Sequence, residues 1–363
     1  YNVTPLSIGF LSMIFMLVYV FVSIPASWVI DTKGVRLGVG IGAALTGVFG
    51  LLKGFYAENY VMISVSQFGL AVAQPFILNA YTRLASRWFP IEERATATGI
   101  AALAQYIGII IAMAATPFML KSLGMKGMLM SYGVVSVIGA AVFLLFMREK
   151  PATPPCAEGE EERYGFLEGL KHMLKLREMR LLLILFFIGI GMFNAVTTWI
   201  EQILQPRGFG SEDAGIIGAL MMAGGVVGAS VLPPLSDKLR NRRGFLIVSM
   251  ICLVPGLVGL TFASNFTLLL VSSFVLGFFV MSAGPIGFQY GAEITYPAPE
   301  STSQGLILLS GQISGIIFIF GMDAFRASGT GSMTPFMVVF IVLTLVNVAI
   351  CTRLKESKLI REG

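Results

Sequence analysis

Apolar residues run along this chain in eleven long blocks, at about 7–30, 37–57, 60–86, 95–119, 125–147, 181–205, 213–235, 244–263, 266–292, 302–325 and 332–352. Each reaches the roughly 20 residues that a helix needs to cross bilayer hydrocarbon. The polar interruptions are short, with one exception near 148–180, where Pro151, Pro154, Pro155 and the acidic run from Glu158 to Glu162 predict a flexible linker. After that run, Phe166, Leu170, Met173 and Leu174 share one helical face opposite Glu168, Lys171 and Lys175, which predicts an interfacial helix leading into the sixth block. The tightest interruption is Asp31-Thr32-Lys33-Gly34-Val35-Arg36. Two spans joined by so short a turn must lie antiparallel. Asp31 is expected to accept hydrogen bonds from the free amides at the start of the next helix, and Gly34 to supply a left-handed turn.

Charge then orients the spans. With the Asp31 turn on the cytoplasmic side, alternation places twenty of the 25 lysines and arginines inside, and the bias persists without the long loop. The C-terminus is then cytoplasmic and the chain a multi-pass protein of the cell membrane. Composition agrees: 56% of residues are hydrophobic and only 12% charged, where soluble domains carry about a quarter. The net charge of +5 is scattered through loops and suggests no nucleic-acid partner. One histidine, His172, and three well-separated cysteines, Cys156, Cys252 and Cys351, argue against a disulfide framework, a metal centre or a His-ligated cofactor.

The second half repeats the first. Its own charged turn runs from Ser236-Asp237 to Arg242-Arg243-Gly244. Pro75-x-x-x-Asn79 with Arg83 parallels Pro285-x-x-x-Gln289 with Glu293, Gln105-x-x-Gly108 parallels Gln312-x-x-Gly315, and the turns after Phe89 and Tyr296 correspond. The Asp-x-x-Gly-x-Arg turn resembles the loop between the second and third helices of major facilitator superfamily transporters. That resemblance implies an all-α membrane protein of the major facilitator fold, two six-helix bundles with internal symmetry. The first half shows one span fewer before its turn, so the first helix of the fold is expected to be missing from this sequence. The expected division is 1–147 for the N-terminal bundle, 148–180 for the cytoplasmic linker and 181–363 for the C-terminal bundle.

A closer resemblance lies in Pro25-Ala26-Ser27-Trp28, Gln74-Pro75-Phe76, Arg87-Trp88-Phe89, Glu293-Ile294-Thr295-Tyr296-Pro297 and Ser310-Gly311-Gln312. These segments are similar to the feline leukaemia virus subgroup C receptor family, whose members carry choline and ethanolamine, with haem export assigned to some. The middle thirds of the spans hold almost no charge, and their polar groups are neutral amides: Gln74, Asn79, Gln105, Asn194, Gln289 and Gln312. Gln105 and Gln312 occupy equivalent depths, and the resemblance implies that this pair lines a substrate cavity; the other reading of each amide is an interhelical hydrogen bond worth about 0.6 kcal/mol. Asn194, Thr198 and Glu201 follow i, i+4, i+7 on one polar stripe. Trp199 reads as either a belt aromatic or a cavity wall. In the resembled family an aromatic stands where Asn194 is found, and aromatic walls hold quaternary ammonium by cation–π attraction. Tyr106, Phe193, Phe288 and Tyr290 could replace it, and each is equally a packing residue.

The expected substrate-binding residues are therefore Gln105, Gln312, Asn194, Trp199, Gln289 and Tyr106, with Glu201 the nearest candidate for ion coupling. Asp31, Gly34, Arg36, Arg83, Arg94, Asp237, Arg242, Arg243 and Glu293 are expected to form a cytoplasmic gate. Without a titratable midplane carboxylate, a facilitative uniporter comes before a proton- or sodium-coupled carrier of haem or another metabolite. No zinc-protease, nucleotide-loop or Ser–His pattern is found, which argues against an enzyme; a non-transporting receptor or sensor would be expected to carry a signalling domain. The whole reads as a monomeric secondary transporter in the bilayer, needing no cofactor, for a small organic solute, choline or ethanolamine first.

Overall fold

A computed structural model describes residues 5–151, 164–325 and 331–362. The acidic run 158–162 and Cys156 lie outside the described residues. In chain order the α-helices are α1 (Pro5–Lys33), α2 (Val35–Phe55), α3 (Tyr60–Leu78), α4 (Tyr81–Trp88), α5 (Arg94–Phe146), α6 (Phe166–Lys175), α7 (Arg177–Thr198), α8 (Ile200–Leu204), α9 (Ser211–Lys238), α10 (Arg242–Phe262), α11 (Phe266–Ile294), α12 (Glu300–Ala324), α13 (Thr334–Arg353) and α14 (Lys358–Glu362). Short 3-10 turns lie at Ile91–Glu93 and Gln205–Arg207. Among the described residues, eleven spans are long and apolar enough to cross a membrane, in the register that the apolar blocks predict. This is a multi-pass integral membrane protein.

The helix boundaries follow local chemistry. Gly34 separates α1 from α2 at φ 98°, a backbone region that a side chain would strain. Asn59 and Asn265 cap α3 and α11 by accepting from amides one turn on. Pro75 cannot donate to the helical ladder, and the span breaks just after it, at Asn79–Ala80 between α3 and α4. The junction expected at 120–124 falls inside α5, where two helices meet across a kink at Gly124, φ 68°; Ile91–Ala112 and Phe118–Phe146 are separate candidate spans. The sixth span, expected to reach 205, ends at Thr198: Trp199 leaves helical geometry and α8 restarts after it.

The helices gather into two compact units. One comprises Tyr1–Trp88, Ile111–Leu170 and Pro297–Leu309; within it α3 packs against both α1 and α2. The other comprises Phe89–Ile110, Lys171–Tyr296 and Ser310–Gly363; there α11 packs against α9 and α10, and α13 against α10 and α7. Thus each unit takes in the opening turns of a helix from the opposite half of the chain, α12 in the first and α5 in the second. Gly224 and Gly228 on α9 sit against the carbonyls of Phe274 and Phe278 on α11, a separation that a side chain would not allow.

Candidate functional site

In the first unit, α1 presents Tyr19, Ser23, Ser27 and Asp31 at every fourth position, so they form one polar ridge. Tyr19, Ser23 and Ser27 are fully buried. The Tyr19 hydroxyl donates to Asn79 Oδ1. Asn79 Nδ2 donates in turn to the Ser23 carbonyl at 3.1 Å, to Ser23 Oγ at 3.1 Å and to Ser27 Oγ at 2.9 Å. The two serines donate to the backbone carbonyls of Gly305 and Ser301 at the start of α12. Asp31 ends the ridge. Its carboxylate accepts from the Ser301 and Thr302 amides at 3.2 and 2.9 Å and from Thr302 Oγ1 at 2.6 Å. A helix N-terminus offers unpaired amides and positive dipole potential, so this carboxylate is charge-matched. Arg83 Nη1 meets Glu300 at 2.6 Å, and its Nε lies 4.0 Å from Asp31.

The expected partner of Asp31 is therefore corrected. It caps α12 rather than the adjoining α2. The start of α2 is taken by Glu149, whose two oxygens accept from the Val35 and Arg36 amides at 2.9 and 2.8 Å. Arg36 itself is exposed and joins the site through its backbone.

The second unit repeats this plan with different chemistry. Asp237 accepts from the Ala95 and Thr96 amides at 3.3 and 2.6 Å and from Thr96 Oγ1 at 2.5 Å, at the start of α5. Arg242, fully buried, reaches Asp237 at 2.5 Å and Glu293 at 3.0 Å. Gln289 Nε2 donates to the same Glu293 oxygen at 3.1 Å. Glu356 caps α10 as Glu149 caps α2, accepting from the Arg242 and Arg243 amides at 3.1 and 3.0 Å. The Arg243 guanidinium donates to the Thr352 carbonyl, and Arg94 Nε to the Phe89 carbonyl. Where α1 shows a polar ridge, α9 shows Gly225, Ala229 and Pro233 before Asp237.

The residues expected to touch solute are distributed differently. Gln105, on α5, is exposed; Tyr106 beside it and Gln312, on α12, are half-buried. Asn194 lies against Gly315, where a Cβ would stand 3.0 Å from its Nδ2, so α7 and α12 close on each other at this amide. The Trp199 indole donates to the Ile319 carbonyl at 3.1 Å, fixing the break after α7 to α12. Asn194 and Trp199 thus both contact α12, at Gly315 and Ile319, three and seven residues after Gln312. Gln289 is fully buried and spends its amide on Glu293, within the Asp237 cluster. Glu201 is exposed on α8. Tyr290 donates to the Lys355 carbonyl at 2.5 Å and Phe288 packs on Phe186 with ring centroids 5.5 Å apart, so both serve packing. Gln67 bridges helices, accepting from Lys53 Nζ and donating to the Leu11 carbonyl.

Sequence reading missed Tyr19, Ser23, Ser27, Glu149, Thr96, Thr302, Glu300 and Glu356. The first three carry a readable signal, the four-residue polar spacing that ends on Asp31. Glu149 and Glu356 carry none, since a glutamate beside Arg148 or Lys355 looks like any solvated end of a helix. At Gln205–Arg207, Arg207 donates to the carbonyls of Leu260 and Ala263 at 2.8 Å each, a cation at the end of α10; burial among these carbonyls, with no acid in the contact, moves its ionisation down from the ordinary arginine range.

Two charged turns of matched sequence, each clasping the opening turn of a long helix within an all-helical multi-span chain, call for a comparison with known membrane carriers. The model of the Major Facilitator Superfamily matches residues 1–319. This chain belongs to the Major Facilitator Superfamily. Its relatives include solute carrier family 49 member A3 of Xenopus tropicalis, 30% identical over 86% of this chain and 68% of that one. The choline/ethanolamine transporter FLVCR1 of Felis catus is 31% identical over 88% of this chain and 60% of its own length. The crystal structure of FucP, a superfamily transporter, superposes with a TM-score of 0.80 at 16% identity over 98% of this chain and 92% of that chain, which shows the shared fold. As a member of this superfamily, the chain is a membrane transporter, and the resemblance read from its Asp31 turn and its Glu-Ile-Thr-Tyr-Pro stretch holds over most of its length.

Proposed function

We propose that this protein carries a small organic solute, a choline- or ethanolamine-like cation, down its own gradient by alternating access. The observation that carries this reading is the alignment of proteins named choline/ethanolamine transporters with 88–94% of the chain. Gln105 and Gln312 keep exposed surface on α5 and α12, and Asn194 and Trp199 contact α12 at Gly315 and Ile319, three and seven residues after Gln312. In this reading the neutral amides orient the solute's hydroxyl or ammonium head, Tyr106 supplies an aromatic face, and Gln289 is reached only as its cluster loosens. The Asp31 and Asp237 clusters act as cytoplasmic latches that hold two halves, 1–147 and 181–363, with 148–180 as linker. The protein works as a monomer in the cell membrane, its C-terminus cytoplasmic as the distribution of basic residues indicates.

The test is uptake of labelled choline by the full-length protein in proteoliposomes, with and without a pH gradient. Saturable uptake indifferent to the gradient is expected, with Gln105→Ala and Gln312→Ala each losing about tenfold in apparent affinity, the worth of one hydrogen bond to a charged solute. Folded protein that takes up neither choline nor ethanolamine would refute the substrate. Uptake that follows the pH gradient and collapses in Glu201→Gln would replace uniport with coupling.

A further inference from the structure

Among the described residues, helix α6 carries a face left exposed by the packing of the rest. Leu167 and Leu174 are 68% and 48% exposed. With Lys171 they follow i, i+4, i+7, and Lys175 lies beside them; both lysines are exposed. The opposite side is inward: Met173 is fully buried and Gly169 is buried. Only Leu176 separates α6 from α7, a membrane span whose first turn exposes Arg177 and Arg180. The C-terminal end of α6, with Leu174 and Lys175, is therefore held at the level where α7 enters the bilayer, and at ~1.5 Å per residue the far end of the helix lies within about 15 Å of it. Exposed leucines flanked by lysines at that depth fit a helix lying in the headgroup layer, with apolar tips in the acyl boundary and ammonium groups among the phosphates. Four basic residues stand against two acids, Glu168 and Glu178, between 166 and 180, apart from the single histidine. That balance selects an anionic surface over a zwitterionic one.

The inward side of α6 touches the candidate site. The Tyr164 amide donates to the Pro297 carbonyl at 3.0 Å. At Gly169 any Cβ would strike the Pro299 ring, so the helix rests directly on the turn that opens α12. The next residues of that turn, Glu300, Ser301 and Thr302, are the ones that Arg83 and Asp31 hold. We infer that α6 binds anionic phospholipid headgroups through Lys171, Lys175 and the two leucines, and that this engagement steadies the 297–299 turn and with it the Asp31 cluster. The inference is independent of the solute carried.

Hydrogen exchange tests it on the full-length protein in bilayers of phosphatidylcholine alone and of phosphatidylcholine mixed with phosphatidylglycerol. The anionic bilayer is expected to slow exchange about tenfold across 166–175 and at the amides of 301 and 302, as two lysines near a negative surface would. High salt and the double variant Lys171→Glu/Lys175→Glu should abolish the difference, with exchange in the core of α7 unchanged as a check on folding. Gly169→Val should keep the lipid effect on α6 and lose it at 301 and 302. Equal exchange in the two bilayers, or a difference that survives the charge reversal, overturns lipid binding. Protection at 301 and 302 that persists in Gly169→Val overturns the link to the cluster.

Discussion

The Asp31 and Asp237 clusters share a frame and differ in what fills it. In both, a carboxylate at the end of one helix accepts from two amides and a threonine hydroxyl at the start of another. In both, a distant glutamate closes the helix that follows the turn. Around Asp31 the rest is a hydrogen-bonded ridge, and the Arg83 guanidinium spans from α4 to the captured helix through Glu300. Around Asp237 the ridge is apolar, and Arg242 joins α10 to Asp237 on α9 and Glu293 on α11, all from the second half of the chain. The first cluster thus spends its ion pair on the grip, and the second spends its ion pairs on shaping the hand that grips. Water could replace the polar contacts of the first, whereas solvating the second would wet Ala229 and Pro233 and leave the Arg242 pairs in place.

The sharpest way to break this contrast is Arg242→Met. It strips two buried carboxylates of their shared guanidinium, with an expected cost of about 3–5 kcal/mol. The corresponding Arg83→Met should fall at or below the lower end of that range, because Arg83 has one close carboxylate, Glu300 at 2.6 Å, with Asp31 at 4.0 Å, whereas Arg242 has two, at 2.5 and 3.0 Å. Melting temperatures of the two purified variants make the comparison, and equal losses would remove the asymmetry.

A smaller pair of effects separates the ridges. Gly305 and Gly99 each stand three residues after the captured threonine. A methyl group on Gly305 would collide with Ser27 Oγ and stand 2.8 Å from Asn79 Nδ2, whereas on Gly99 it would meet Pro233 Cβ at 3.3 Å and the Ala229 carbonyl at 3.4 Å. Gly305→Ala is expected to cost about 1–3 kcal/mol by overpacking and Gly99→Ala less than about 1 kcal/mol. The same melting assay, read with accessibility of an introduced cysteine beside each glycine, would show the polar ridge loosening first. The smallest effect belongs to Arg240→Ala, which removes a 3.1 Å ion pair with Glu92 whose side chains are 45% and 35% exposed. Surface pairs of this kind contribute ~0–1 kcal/mol, so a melting shift as large as that of Arg83→Met would mean that Arg240 belongs to the Asp237 network.

Much of this architecture was open to reading from the residues. Membrane spans declare themselves because a helix in hydrocarbon must be apolar throughout, so the eleven blocks carry their own boundaries. Gly34 and Pro75 acted where their backbone limits require, at a positive φ and at a helix break. The two aspartates stood out because a charged turn between apolar blocks is rare. Their partners did not. Nothing near Asp31 in the chain distinguishes the start of α12 from the start of α2, and proximity favours the wrong one; the choice is made by tertiary packing, with Glu149 occupying the nearer helix. Gln289 looked like the other mid-span amides, and only the placement of Glu293 one turn away and Arg242 across from it draws that amide into an ionic cluster. The end of α7 at Trp199 follows from an indole bond to α12, which no local preference encodes.

The separation between Asp31 and its donors has a meaning for how the protein is made. Ser301 and Thr302 leave the ribosome 270 and 271 residues after Asp31, when nine of the eleven spans found among the described residues have already been made. Until then the α1–α2 hairpin carries an acid without its mate. Asp237 waits for nothing, because Ala95 and Thr96 precede it. Biogenesis therefore has an order built into it: the Asp237 clasp can close as soon as α9 is made, and the Asp31 clasp only once α12 has emerged. A nascent chain that stalls before α12 would expose Asp31 and Arg83 together, a mark by which quality control could tell an unfinished transporter from a finished one.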